Sequence, residues 1–208
     1  MTESLKTGTT TVGIITNEAV VLGSDQQATM WHLAAENEMQ KIYPINEMTA
    51  ITIAGSAGDG LTLVKFLRTH SKLYEMERET IMRTKALVSL LANVFSSNRF
   101  YPFYSHFLVG GFSSKPELFN VTPDGAALEQ KKYSWTGSGS ELALSVLDND
   151  YKENMTEKDG ILLALKALKT AKKRDIYTGG QGFNITVITK QGVKELTEKE
   201  VSSFLKEK

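Results

Sequence analysis

The order in which strand-like and helix-like segments follow one another restricts the fold of this chain more than any other feature. Two hairpins rich in β-branched residues come first, and two amphipathic helices, three strands, two helices, a strand pair and a terminal helix follow. Strands and helices grouped in this way are typical of two stacked antiparallel sheets with helices on both outer faces. We therefore predict an α+β fold, a four-layer αββα sandwich, and 208 residues suit one such domain.

The register of the first hairpin decides which side chains lie near its open end. The strand segments Thr9–Ile15 and Ala19–Asp25 flank three polar residues. If all three form the loop, Thr9 lies opposite Asp25. A two-residue loop would shift the register by one and place these two side chains on opposite faces of the sheet. The sequence leaves both registers open.

The second hairpin leads into the first helix. Pairing across its turn at Asn46–Thr49 would bring Lys41 beside Ala54 and Gly55. The glycine-rich segment that follows breaks the strand, and Asp59 is a plausible cap for the helix. The apolar stripe expected along this helix consists of Leu61, Val64, Leu67 and Leu73.

Three later segments carry signals for helix starts. Thr156 with Asp159, and Thr197 with Glu200, have the spacing of a capping box. The Gly-Ser-rich segment Thr136–Ser140 is predicted to be a turn that starts another helix.

Composition excludes several kinds of chemistry. There is no cysteine, so a nucleophile would have to be Ser, Thr, Lys or a carboxylate. The histidines are scattered without metal-ligand spacing, and we expect no metal and no other cofactor; they are His32, His70 and His106. Lys+Arg and Asp+Glu both total 24, which indicates neither nucleic acid nor membrane as a partner. No apolar run is long enough for a membrane helix and the start has no secretory signal, which favours a cytoplasmic protein.

Thr9, at the start of the first strand, has two interpretations. On composition alone it belongs to a threonine-rich strand after a frayed tail. As a chain terminus, however, its own α-amino group, with an ordinary pKa of about 7.7–8.0, could act as the base that activates its hydroxyl. Gly8 before it has no side chain to obstruct an attack of the Thr9 hydroxyl on the Gly8 carbonyl.

Three further residues could complete such a site. A Lys41 ammonium near Thr9 would favour ionisation of neighbouring acids, and Asp25 would keep that lysine charged. Gly55 could direct a backbone N–H at a developing oxyanion. Taken alone, Lys41 is better explained as a solvated strand lysine, and Asp25 is equally well explained as a strand-end residue. Gly55 can be a required turn glycine and an oxyanion donor at the same time.

The chain resembles the β-type subunits of the 20S proteasome, and the archaeal kind most of all. The motifs occur in order over nearly the whole chain: Thr7–Gly13, Ser24-Asp25 with Ala28–Met30, Lys41–Tyr43, Thr52–Gly55 with Gly58-Asp59, Gly110-Gly111, Thr136–Ser140 and Arg174-Asp175 followed by Gly179-Gly180. The resemblance implies the N-terminal nucleophile hydrolase fold and a threonine endopeptidase. It also implies a propeptide, residues 1–8, that is removed by autolysis to leave one catalytic domain, residues 9–208.

The resemblance also assigns a role to individual residues. Thr9 would be the nucleophile, Asp25 and Lys41 the activating charge pair, and the Gly55 N–H the oxyanion donor. The residues around the new N-terminus would be Ser138, Asp175 and Thr178. Substrate would add as an extended strand near Thr29, Gly55 and Ala57. The specificity pocket would be lined by Ala28, Met39, Tyr43, Ile53 and Ala57, which predicts cleavage after hydrophobic residues.

Two departures from the family pattern concern how well such a site would work. Gln27 stands where the family usually has arginine, two residues after Asp25. Thr178 stands where it usually has serine, and its β-branched side chain is stiffer. We expect these differences to tune the site rather than silence it, because Thr9, Asp25, Lys41 and Asp175 are all present.

The resemblance implies partners as well. These are other β subunits in a heptameric ring, flanking rings of α subunits and an ATPase ring that delivers unfolded protein. The alternatives are a structural, weakly active β subunit, which Gln27 and Thr178 suggest, and a bacterial two-ring relative without α partners.

Overall fold

The computed structural model describes residues 8–30 and 33–206. The expectations for residues 1–7, most of the expected propeptide, and for His32 lie outside the described residues. The strands are β1 Thr10–Ile15, β2 Ala19–Asp25, β3 Ala28–Met30, β4 Leu33–Glu36, β5 Ile42–Asn46, β6 Thr49–Thr52, β7 Ala54–Gly55, β8 Ser105–Phe112, β9 Pro116–Val121, β10 Ala127–Gln130, β11 Tyr133–Gly137, β12 Phe183–Thr189 and β13 Gly192–Glu195. The helices are α1 Ala57–Arg78, α2 Thr84–Ser97, α3 Ser140–Asp150, α4 Glu157–Lys172 and α5 Glu198–Lys206.

Two antiparallel sheets are stacked face to face. One has the strand order β11-β1-β2-β12-β13 and the other β10-β9-β8-β6-β5, with β7 also paired to β8. Helices α3, α4 and α5 pack on the outer face of the first sheet, and α1 and α2 on that of the second. A third apolar cluster, which includes Leu22, Leu108 and Leu118, lies between the sheets. The predicted four-layer αββα sandwich is confirmed.

The register of the first hairpin is that of the two-residue loop. Thr11 pairs with Ser24, and the Thr16 N–H donates to the Ala19 carbonyl at 2.9 Å. Continuing this register places Thr10, rather than Thr9, opposite Asp25. Because side chains alternate along a strand, the side chains of Thr9 and Thr10 point in different directions. Each of the two threonines therefore has its own set of contacts at the site.

Helix α1 begins differently from the prediction. Its N-cap is Ser56, whose Oγ accepts the Asp59 N–H at 3.3 Å. Asp59 lies in the first turn, and its carboxylate accepts the Tyr104 N–H at 2.9 Å instead. Serine is favoured at this position because its short side chain reaches a free N–H of the first turn.

The apolar stripe of α1 is also only partly as predicted. Val64 and Leu67 are buried, but Leu61 and Leu73 are 37% and 50% exposed. The buried face runs instead through Leu63, and α1 packs it against the second sheet. The expected stripe combined residues from both sides of the helix.

Strand β11 was not predicted, and it matters for the site. It pairs with β1, so that Thr10 lies opposite Gly137 and Thr11 opposite Thr136. Its last residue has φ 99°, a conformation that favours glycine, and this is why the end of a strand resembled a turn. The capping boxes at the starts of α4 and α5 are both present, as predicted.

Candidate active site

Thr9 lies immediately before β1 and is only 6% exposed. Its carbonyl accepts the Ser138 N–H at 2.7 Å, and its own N–H donates to Ser138 Oγ at 3.3 Å. A β-carbon at Gly137 would lie 1.9 Å from the Thr9 carbonyl oxygen, so this close approach requires glycine. Ser138, directly after β11, thereby holds both the backbone N–H and the backbone carbonyl of Thr9.

Asp25 and Lys41 form a buried ion pair beside this strand. Lys41 Nζ lies 2.7 Å from Asp25 Oδ1 and donates a second hydrogen bond to the Gln27 carbonyl at 2.5 Å. Backbone N–H groups supply the other partners of the carboxylate: Thr10 donates to Oδ1 at 3.0 Å, and Gly179 and Gln27 donate to Oδ2 at 2.9 and 3.2 Å. These hydrogen bonds compensate for the loss of water around the buried carboxylate.

Burial lowers the pKa of the Lys41 ammonium from its ordinary value, and the Asp25 carboxylate opposes that shift only in part. A lysine with a lowered pKa releases its proton more readily than a solvated one. Such a group can accept and return the proton of a nearby hydroxyl nucleophile.

A chain of hydroxyl groups runs along the other side of Thr9. Ser138 Oγ donates to Asp175 Oδ2 at 2.6 Å, and Thr178 Oγ1 donates to the same oxygen at 2.5 Å. The Thr10 and Thr178 hydroxyl oxygens are 2.6 Å apart, and the Gly139 N–H donates to Thr10 Oγ1 at 3.1 Å. Because Thr178 gives its proton to Asp175, Thr10 donates to Thr178. The network connects the Thr9 N–H to a carboxylate through Ser138.

A small pocket of about 60 Å³ opens beside Thr9. Its lining residues are Gly8, Thr9, Ala28, Thr29, Met39, Lys41, Ile53, Gly55 and Ala57. All the residues expected to bind substrate are among them except Tyr43. The Tyr43 hydroxyl donates to the Gln40 carbonyl at 2.6 Å, and its ring packs against the core between α1 and the second sheet.

Gly55 occupies a position that only glycine fits. Its φ is 106°, and a β-carbon there would lie 2.3 Å from the Tyr104 carbonyl oxygen. The strand therefore turns sharply into α1 at the edge of the pocket, and backbone rather than side chain faces the space beside Thr9.

Two contributors to the site were missed by sequence reasoning. Thr10 donates its N–H to Asp25 and its hydroxyl to Thr178, and the Gly179 N–H binds Asp25 as well. The register of the first hairpin could have identified Thr10, had the loop length been known. Gly179 comes from a distant loop, and no local pattern connects it to Asp25.

The described residues contain no group of His, Cys, Asp or Glu side chains suited to a metal ion. Among the helices of the described ranges, none has the length and apolar character to cross a membrane.

A threonine at the start of a central strand of an αββα sandwich, sharing a pocket with a buried lysine, defines the class of N-terminal nucleophile hydrolases. Residues 5–188 match the family described as "Proteasome subunit". The chain is 42% identical over 200 residues to the proteasome subunit beta of Methanocaldococcus vulcanius, covering 95% of this chain and 89% of that protein. It is 43% identical over 204 residues to the proteasome subunit beta 2 of Pyrococcus furiosus, covering 98% of each.

A third relative, the proteasome subunit beta of Methanosarcina thermophila, is 40% identical over 197 residues, covering 94% of this chain and 93% of that protein. The chain belongs to the proteasome subunit family, as an archaeal-like β-type subunit of the 20S core and a threonine peptidase. Membership of this family means assembly into proteasome rings with other subunits.

Proposed function

We propose that this chain is the precursor of an endopeptidase whose nucleophile, Thr9, is released by hydrolysis of the Gly8–Thr9 bond. The observation that carries the proposal is the pocket in which Thr9, Gly8 and Lys41 meet. It brings together a hydroxyl nucleophile, the residue that contains the carbonyl to be attacked, and a lysine with a lowered pKa.

The self-cleavage step follows from this arrangement. Lys41 acts in its neutral form, after releasing a proton to solvent: the Thr9 hydroxyl adds to the Gly8 carbonyl carbon while its proton passes to the Lys41 amine, and the C–N bond then breaks as Lys41 returns that proton to the Thr9 nitrogen. The resulting ester between Gly8 and the Thr9 hydroxyl is hydrolysed by water, which leaves residues 1–8 as a free acid and Thr9 with an α-amino group. The ordinary pKa of that amine, about 7.7–8.0, suits it to act as base in later turnovers.

We assign the hydroxyl network to the new terminus. Ser138 already accepts the Thr9 N–H and donates to Asp175, which also accepts a hydrogen bond from Thr178. After cleavage the same atoms would hold the amine and its protons. The Gly55 N–H would donate to the oxyanion, since the turn at Gly55 faces the pocket with backbone atoms.

We infer a preference for cleavage after hydrophobic residues. Apart from Thr9, Thr29 and the paired Lys41, the lining consists of glycine and apolar side chains, and no acidic side chain is present to attract a basic residue. An extended peptide would lie against the backbone near Thr29, Gly55 and Ala57, as an added strand. Tyr43 does not line the pocket, and we expect it to affect substrate preference only indirectly.

The assembly we propose is a heptameric ring of β subunits flanked by α rings, fed with unfolded protein by an ATPase ring in the cytoplasm. Its support is the family to which the chain belongs.

The test compares Thr9→Ala with Thr9→Ser in particles made of one variant only. Thr9→Ala should retain residues 1–8 by intact mass and leave a hydrophobic fluorogenic peptide uncut, whereas Thr9→Ser should keep part of both activities, because it keeps the hydroxyl. Mature N-termini in the Thr9→Ala particle would overturn self-cleavage by Thr9. If the unmodified particle keeps residues 1–8 and cuts no peptide, the chain is instead a structural β subunit. Failure to assemble with any α subunit would indicate the two-ring alternative.

A further inference from the structure

Gly8 packs directly against Tyr177. A β-carbon built on Gly8 would lie 1.8 Å from Tyr177 Cβ, 2.7 Å from its Cγ and 2.9 Å from its Cα. Carbon atoms that are not bonded to each other approach no closer than about 3.5 Å without repulsion. Position 8 is therefore closed to any residue with a side chain as long as Tyr177 stays in place.

Tyr177 cannot easily move away, because its loop is tied to the site on both sides. Its N–H donates to Asp175 Oδ1 at 3.2 Å, and Asp175 also accepts from Ser138 and Thr178. Two residues further along, the Gly179 N–H donates to Asp25 Oδ2 at 2.9 Å. A retreat of Tyr177 would disturb both the hydroxyl network and the ion pair.

A side chain at position 8 would point in a different direction from the one proposed for the residue before the cut in a peptide substrate. In a substrate, the residue before the cut is proposed to place its side chain in the pocket of Ala28, Met39 and Ile53. The β-carbon position of Gly8 points at Tyr177 instead, and Tyr177 is not among the residues that line the pocket. The precursor thus presents its scissile carbonyl in a different orientation from the one proposed for substrates.

We propose that Tyr177 is a positioning residue for self-cleavage: its Cβ forms a wall that admits only glycine at position 8 and so holds the Gly8 carbonyl against Thr9. This inference rests on the proposed release of Thr9. It predicts that Thr9 requires different residues before the cut in its two reactions. Self-cleavage requires glycine at this position, whereas substrates have a hydrophobic side chain there.

The test introduces Gly8→Ala into three backgrounds: unmodified, Tyr177→Ala and Tyr177→Gly. The last two both lack the ring and differ by one methyl group, the Cβ that forms the wall. Release of residues 1–8 is followed by intact mass in particles made of a single variant. The release rate of each Gly8→Ala chain is divided by that of the chain with the same residue 177 that keeps Gly8. Any general effect of the loop substitution cancels in this ratio.

Gly8→Ala should slow release by about tenfold or more in the unmodified and Tyr177→Ala backgrounds. In the Tyr177→Gly background the ratio should recover by at least about threefold relative to Tyr177→Ala, because the closest contact, 1.8 Å to Cβ, is then gone and only the 2.9 Å approach to the Cα of residue 177 remains. Equal ratios in all three backgrounds, or a recovery with Tyr177→Ala as large as that with Tyr177→Gly, would contradict the proposed role of the Tyr177 Cβ.

Two further measurements keep this inference separate from the proposed function. Thr9→Ala in each background should show no release. If the unmodified chain itself fails to release residues 1–8, the proposed function is wrong. In that case, and also if the Tyr177→Gly background is inactive, the proposed role of the Tyr177 Cβ is tested by the melting temperatures of Thr9→Ala chains, which cannot release residues 1–8. Gly8→Ala should lower the melting temperature more in the unmodified and Tyr177→Ala backgrounds than in the Tyr177→Gly background, which lacks the Cβ at 1.8 Å. Equal decreases in all three backgrounds would contradict the proposed role of the Cβ.

Discussion

Lys41 Nζ lies 2.7 Å from Asp25 Oδ1, and the two side chains are only 3% and 0% exposed. Removing two charges from water costs about as much as their mutual attraction returns, so a pair at this depth depends on the hydrogen bonds around it. The backbone N–H groups of Thr10 and Gly179 supply those bonds. The position of the lysine beside Thr9 is therefore set by strand β1 and by the loop after α4 together.

Lys41→Arg should separate the charge of this residue from its ability to transfer a proton. Arginine keeps a positive charge next to Asp25, but it does not lose its proton in proteins. Release of residues 1–8, followed by intact mass, should slow by about a hundredfold or more, in the range that general acid–base catalysis contributes. Circular dichroism of the variant checks the fold. Near-normal release would mean that Lys41 contributes only its charge.

The same pair predicts how stability depends on pH. Because the pKa of folded Lys41 is below its ordinary value of 10.5, the unfolded chain binds more protons between these two values, and the free energy of unfolding rises with pH there. This contribution is complete above the ordinary pKa and is lost as the pH falls through the folded one.

The Lys41→Arg chain is the reference for that measurement, since arginine stays charged throughout and the other titrating groups are shared. Unmodified chains should gain stability relative to Lys41→Arg as the pH rises towards the ordinary lysine pKa of 10.5, as measured by urea unfolding of unassembled chains. Parallel pH dependences of the two chains would contradict a lowered Lys41 pKa.

The layers of the fold could be predicted because strands and helices have different hydrophobic periods, and because grouped elements leave few ways to cover two sheets. The site could not be predicted to the same depth. Thr9, Asp25 and Lys41 lie far apart in the sequence, and only the family resemblance brought them together. Their proximity depends on a hairpin register that one residue of loop length decides.

The strand end at Gly137 shows a second limit. A glycine with positive φ marks many turns, so the segment was assigned to a turn although it closes β11 against β1. The contact between Gly8 and Tyr177 shows a third. Glycine at position 8 was noted for the attack it permits, but the steric reason lies in a distant loop that no local pattern reveals.

Gln27 should act on substrate binding more than on the chemical step. Its Nε2 donates to Thr29 Oγ1 at 3.0 Å and to the Ile176 carbonyl at 3.2 Å. These bonds connect β3, beside which the substrate is proposed to lie, to the loop that contains Asp175. The bond from Lys41 goes to its backbone carbonyl and survives substitution. Gln27→Ala should therefore raise KM by about three- to tenfold with a smaller change in kcat.

Thr29→Val is the matched control for Gln27→Ala, because it removes the hydroxyl that accepts this bond. The double variant should be little worse than either single one, since both remove the same interaction. Additive effects on KM would show that Gln27 and Thr29 act separately.

Thr178→Val should weaken the hydroxyl network without changing the volume of the side chain. It removes the donor to Asp175 and the acceptor for Thr10, which leaves the Thr10 hydroxyl without a described partner for its proton. Peptide turnover should fall by about tenfold, whereas Thr178→Ser should stay within about threefold of the unmodified chain. If valine and serine behave alike, the hydroxyl of this residue has no role in turnover.

The cap of the terminal helix α5 should be lost in acid. Glu200 accepts hydrogen bonds from Lys194 Nζ at 2.7 Å and from the Thr197 N–H at 2.8 Å. The bond from Lys194, followed by those from Thr197, lowers the pKa of Glu200 to about 2 from its ordinary value of 4.5. Since the folded pKa is the lower one, the stabilisation is fully present above the ordinary value and disappears as the pH falls through about 2. An NMR titration of the Glu200 carboxyl measures this pKa directly. Lys194→Met should raise it by removing the largest cause, and an unchanged pKa in that variant would show that Thr197 alone determines the shift.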